Sequence, residues 1–115
     1  MDKETIIEGN KLIAARMQLR SFKYDIHSTG WNSPIDNSTC FRLEYHTSWD
    51  WQIPAWSKIS HLTQKAASDN KYLAERHLSY ADKYESAIFT NNLEEGFKVL
   101  VSIITWYNTL PNTKK

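Results

Sequence analysis

From about Lys3 to Leu19 the apolar residues Ile6, Ile13 and Met17, joined by Ile7, Leu12 and Ala14, recur at the spacing of one helix face, and no proline interrupts them. The pattern predicts an amphipathic first helix with Glu4, Glu8, Lys11 and Arg16 on its polar side. Gly9 lowers its stability by roughly 1 kcal/mol relative to alanine, so this helix depends on packing of its apolar stripe. The period then falls to two. Phe22, Tyr24 and Ile26 alternate with Lys23, Asp25 and His27, and Phe41, Leu43 and Tyr45 alternate with Arg42, Glu44 and His46, which predicts two half-buried strands. Between them Ser28 to Ser38 is dense in turn formers and too long for a tight hairpin, so a loop pinned by Trp31 is expected.

Ser48 has the chemistry of a helix cap, its hydroxyl placed to accept from the amide of Asp50 or Trp51, and Asp50 adds negative charge where the helix dipole favours it. A second helix is expected from here to about Ala67, along the stripe Ala55, Ile59, Leu62 and Ala66, with either a separate tight turn over Trp49 to Ile53 or a kink near Pro54. Residues Ser68 to Thr90 follow neither period cleanly, and short strands are expected near 76–80 and 85–90, the latter ending at Asn91-Asn92. Asn92 with Glu95 three residues on makes a capping-box-like start. Leu93, Phe97, Leu100, Val101, Ile104 and Tyr107 then form the strongest helical stripe in the chain, and Val99, Ile103 and Trp106 add a second, so this helix should be covered on more than half its circumference. Residues 109–115 should fray.

The 115 residues suffice for one domain, and no repeat or linker composition divides them. Five Trp, six Tyr and four Phe supply the bulk for a core. Fourteen basic and thirteen acidic residues give a formal charge of +1, well short of the basic excess of dedicated nucleic-acid binders. The lone Cys40 leaves no internal disulfide, the first residues lack a signal-peptide pattern and no apolar run spans a bilayer, so a cytoplasmic protein without a membrane segment is expected.

Three segments carry a resemblance: Asn10-Lys11-Leu12-Ile13-Ala14, then Tyr45 to Trp51 (YHTSWDW) with Pro54 and Lys58-Ile59, and Asn92 to Glu95 leading to Trp106-Tyr107-Asn108. In their order and spacing the chain resembles a family of small uncharacterised proteins from phages and prophages of Bacteroidetes. Through Asn10 to Ala14 and the order of elements it is also similar to the phage ABA sandwich domain, an alpha-beta-alpha arrangement. The resemblance implies a fold class and a mobile-element origin, and it brings no catalytic or ligand-binding residues. Gln52 departs from the family pattern, in which an apolar residue is usual after Trp51, and residues 68–90 are less strand-like than in the family.

No catalytic, metal or cofactor constellation stands out. Cys40, Arg42, Glu44 and His46 share one face of the expected strand, yet Cys40 and His46 are about 20 Å apart along an extended chain, too far for a nucleophile and its base. His27, His46, His61 and His77 lack the paired spacing of metal ligands, and Glu94, Glu95 and Asp50 serve helix starts. Trp51 and Trp106 read as core, whereas Trp49, Ile53 and Trp56 lie on an adjacent stripe that, with Trp31, offers an aromatic contact surface.

The expected architecture is a single α+β domain, three helices packed on a small, mainly antiparallel sheet in the order α-β-β-α-β-β-α. Its expected core is Ile13, Met17, Phe41, Leu43, Ile59, Leu62, Phe97, Leu100, Val101 and Ile104. The expected function is a non-enzymatic accessory module that binds a protein partner through Trp31, Trp49, Ile53 and Trp56. The alternatives are single-stranded nucleic-acid binding through the same aromatics and a small enzyme built on Glu44, His46 and Cys40.

Overall fold

The computed structural model describes residues 1–18, 21–23, 29–32, 39–40 and 43–110. Four helices make up its body: α1 (Lys3–Arg16), α2 (Trp49–Ala66), α3 (Lys71–Phe89) and α4 (Leu93–Asn108). Between α1 and α2 run three short strands, β1 (Ser21–Lys23), β2 (Thr29–Asn32) and β3 (Thr39–Cys40). They pair antiparallel in sequence order, Phe22 opposite Gly30 and Trp31 opposite Cys40.

The expected α+β architecture is therefore corrected to a mainly helical one. The helices pack on one another, α4 against each of α1, α2 and α3, and the two- to four-residue strands form a ribbon rather than a layer beneath them. Residues 76–80 and 85–89 of the expected strands lie inside α3, and Thr90 follows its last turn. The strand expected over 41–45 is likewise absent where the chain is described: Leu43 and Glu44 have no regular structure, and Tyr45 to Thr47 form a turn. Residues 24–27 and 41–42 of the two expected strands, and the terminal 111–115, lie outside the described residues.

Each helix has a local reason to start where it does. The Asp2 carboxylate accepts from the Thr5 amide at 2.8 Å, and Asn70 and Asn92 accept from Leu73 and Glu95, each at 3.1 Å. At Ser48 the expected hydroxyl cap is not made; its carbonyl instead accepts from the amides of Trp51 and Gln52 at 3.2 and 3.0 Å. Pro54 neither splits off a separate turn nor ends α2, which runs unbroken from Trp49 to Ala66. The missing amide costs only the bond to the Asp50 carbonyl, one turn from the helix start, and tertiary packing of this helix outweighs that loss.

The α3–α4 corner is made by Thr90-Asn91-Asn92. Asn91 takes the left-handed conformation (φ 55°), its amide donates to the Ile88 carbonyl at 3.0 Å and that of Asn92 to the Ala87 carbonyl at 2.8 Å. This pair of bonds closes α3 as a Schellman motif, and Asn92 at once caps α4.

The core is centred on α4. Phe97, Leu100, Ile103 and Ile104 are fully buried with Ile13 of α1, Ile59 of α2, Tyr84 of α3 and Tyr45 of the preceding turn. Met17, Leu43, Leu62 and Val101 are half-buried against this cluster, and Phe41 lies outside the described residues. Both expected stripes of α4 are covered.

Candidate functional site

Tyr84 organises the aromatic segment. It is fully buried, with Trp56 stacked on it at 4.4 Å (interplanar angle 16°) and Trp49 edge-on at 6.2 Å (83°). The Trp49 indole also donates to Asn91 Oδ1 at 2.8 Å, which ties the start of α2 to the α3–α4 corner. Both tryptophans are half-buried and held in place, while Ile53, between them on α2, is 44% exposed. Ile88, one turn beyond Tyr84 on α3, is 41% exposed. The outer seam of α2 and α3 thus presents aliphatic side chains beside rigid aromatic ones. Trp31 is not part of this seam; it is half-buried in β2 and faces α1 across a cleft.

Beneath the seam lies a polar network that hydrophobic patterning alone does not reveal. Gln52 is fully buried, its Nε2 donating to the Leu93 carbonyl at 3.0 Å and its Oε1 accepting from the Tyr84 hydroxyl at 3.1 Å. Burial pushes the Tyr84 phenol far above its ordinary range, which keeps it protonated and a donor. Further along the same interface buried His77 places Nδ1 2.6 Å from the hydroxyl of buried Thr63, which itself donates to the Ser60 carbonyl at 3.0 Å. Burial lowers the His77 pKa. With the Thr63 hydrogen committed to Ser60, the His77 Nδ1 is the donor of that pair. The one sequence signal was spacing: Gln52, Ala55, Ile59 and Thr63 share a helix face, as do Leu73, His77 and Tyr84.

The expected reactive strand face dissolves into separate contacts. Glu44 accepts from the Thr47 hydroxyl at 2.7 Å, His46 Nδ1 lies 2.9 Å from Asn10 Nδ2, and Cys40 sits in β3 opposite Trp31. Among the described residues no group of three His, Cys, Asp or Glu side chains is placed to hold a metal. Asn10 is itself buried and, besides His46, donates to the Ile6 carbonyl at 3.0 Å and accepts from the Tyr45 amide at 2.9 Å. It joins α1 to the turn that precedes α2.

The closing Trp106-Tyr107-Asn108 run also has structural work. Trp106 lies against Tyr80 at 5.6 Å, the Arg16 guanidinium sits 4.9 Å over the Tyr107 ring, and Arg16 donates to Asn108 Oδ1. The segments that carry the family resemblance are, to this extent, the ones that fasten α1, α2, α3 and α4 together.

Comparison with protein-family models, curated proteins and solved structures finds no match. The phage and Bacteroidetes association read from the sequence gains no support from these comparisons, and the alpha-beta-alpha sandwich it suggested is replaced by the helical body. Among the described residues no helix is long and apolar enough to cross a membrane.

Proposed function

We propose that the protein is a non-enzymatic interaction module that binds a protein partner through the outer seam of α2 and α3, with Trp49, Ile53, Trp56 and Ile88 as contact residues. The observation that carries this reading is Ile53, 44% exposed between two tryptophans locked against a buried tyrosine. An apolar anchor beside side chains with no rotamer freedom left to lose is the arrangement that gives protein interfaces their concentrated binding energy.

The same geometry disfavours nucleic-acid stacking, since Tyr84 already covers one face of Trp56 and meets Trp49 at its ring. The near-balanced charge, +1 overall, adds little attraction to phosphate. Trp31, in β2 and lining the cleft with α1, has no place in this surface.

The test is affinity capture from native host extract, with nuclease treatment, comparing wild type with Ile53→Asp and Ile88→Asp. Each position is about 40% exposed or more, so the variants should stay folded with a loss of about 1 kcal/mol, and circular dichroism checks this before capture. Loss of a nuclease-resistant protein partner in both variants supports the proposal; unchanged capture of every partner by the folded variants refutes it.

A further inference from the structure

A cleft of about 520 Å³ runs between α1, β2 and the 43–46 segment, within the size range of small-molecule sites. Its walls are unequal in chemistry. Ile6, Ile7 and Leu43 give it apolar sides and Trp31 an aromatic one, while the exposed Lys3 and Lys11, about two turns apart on α1, also line it. Among the described residues that line it, the charged side chains are all basic.

His46 supplies a donor whose identity is fixed by its neighbour. Asn10 cannot turn its amide over, because Oδ1 already accepts from the Tyr45 amide and Nδ2 already donates to the Ile6 carbonyl. The group facing His46 Nδ1 at 2.9 Å is therefore an N–H, which makes Nδ1 the acceptor and puts the hydrogen of the neutral ring on Nε2. Packing against Phe97, with ring centroids 6.0 Å apart, holds the imidazole in place. Nε2 has no partner among the described residues, in a residue that lines the cleft.

We propose that this cleft binds a small aromatic carboxylate. The ring of the ligand packs between Trp31 and the Ile6, Ile7 and Leu43 side chains, and its carboxylate accepts from His46 Nε2–H within the field of Lys3 and Lys11. The preference for an acid follows from one fixed donor and two lysines, with no carboxylate among the described lining residues, and the preference for a ring from Trp31. This inference is independent of the α2–α3 seam and involves none of its residues.

The experiment is a titration of isotope-labelled protein with 3-phenylpropionate and indole-3-acetate, followed by amide and ring nitrogen NMR, with 3-phenylpropionamide as the uncharged counterpart. Saturable shifts should appear along Lys3–Lys11, at the Trp31 indole and at the His46 ring, and the amide should bind about tenfold more weakly or worse. The double variant Lys3→Glu/Lys11→Glu changes two exposed residues, and its fold is checked by circular dichroism. It should lose at least about tenfold in affinity for both acids. Absence of saturable shifts with both acids, equal affinity for acid and amide, or wild-type affinity in the folded double variant would each overturn the proposal.

Discussion

The Tyr84 hydroxyl donates to Gln52 Oε1 at 3.1 Å, so the first helix turn after the Trp49-Asp50-Trp51 segment is joined to the middle of α3 by a bond with no access to water. Gln52 completes the junction by donating to the carbonyl of Leu93 at the start of α4. One side chain links three helices. Gln52→Leu should destabilise the protein by about 1–3 kcal/mol, because it leaves the buried Tyr84 hydroxyl unpaired, while the Leu93 carbonyl keeps only its helical partner. Adding Tyr84→Phe to Gln52→Leu should recover about 1 kcal/mol, because one orphaned group is removed. Urea unfolding of the two single variants and the double variant measures this coupling, and strict additivity would contradict it.

Gly9 reverses its ordinary meaning in a helix. A Cβ there would lie 2.5 Å from the Phe97 ring and 3.0 Å from Val101, so the glycine sets how closely α1 approaches α4. Gly9→Ala should cost about 1–3 kcal/mol through overpacking, where helix propensity alone predicts a gain of about 1 kcal/mol. The sign of the change in urea midpoint decides between them.

His77 should make stability fall in mild acid. Its folded pKa lies below the ordinary value of 6.5 because burial penalises the imidazolium, so the unfolded chain binds the proton more readily. The stabilisation is complete above pH about 6.5 and is lost as pH falls below that value toward the folded pKa. In His77→Gln this part of the pH dependence should vanish. Urea unfolding of both proteins at several pH values through that window reads the difference, and parallel profiles would rule His77 out as its source.

Asn91 combines two roles that substitution can separate. Asn91→Gly keeps the left-handed corner and loses only the acceptor for the Trp49 indole, whereas Asn91→Ala loses the acceptor and strains the backbone. The alanine variant should be less stable than the glycine variant by about 1 kcal/mol. Both should shift tryptophan emission, since Trp49 is released in each. Equal stability would show that the φ of 55° carries no cost.

The hydrophobic spacing was sufficient to locate α1, α2 and α4, and Asn92 with Glu95 marked the start of α4, because these features act within a few residues of chain. The caps of Asp2 and Asn92 and both buried stripes of α4 follow from such local chemistry. The α3 helix was obscured for the opposite reason. Its buried stripe is Leu73, His77, Tyr84 and Ala87, whose polar and aromatic members match a helical face only when Thr63, Gln52 and Trp56 stand opposite to satisfy and cover them. The alternation Phe41, Leu43, Tyr45 likewise suggested a strand, but Asn10 draws the Tyr45 amide into a hydrogen bond with α1 and turns the chain there. The sequence by itself determined which segments have an apolar face to bury. Only the tertiary structure decided that these faces meet one another around α4 rather than a sheet, that Gln52, Thr63 and His77 belong inside, and that His46 and Trp31 face one cleft while Ile53 stands exposed on the other seam. Those outcomes depend on partners tens of residues away, and the pairing of buried polar groups is specified by both members of each pair, not by either position alone.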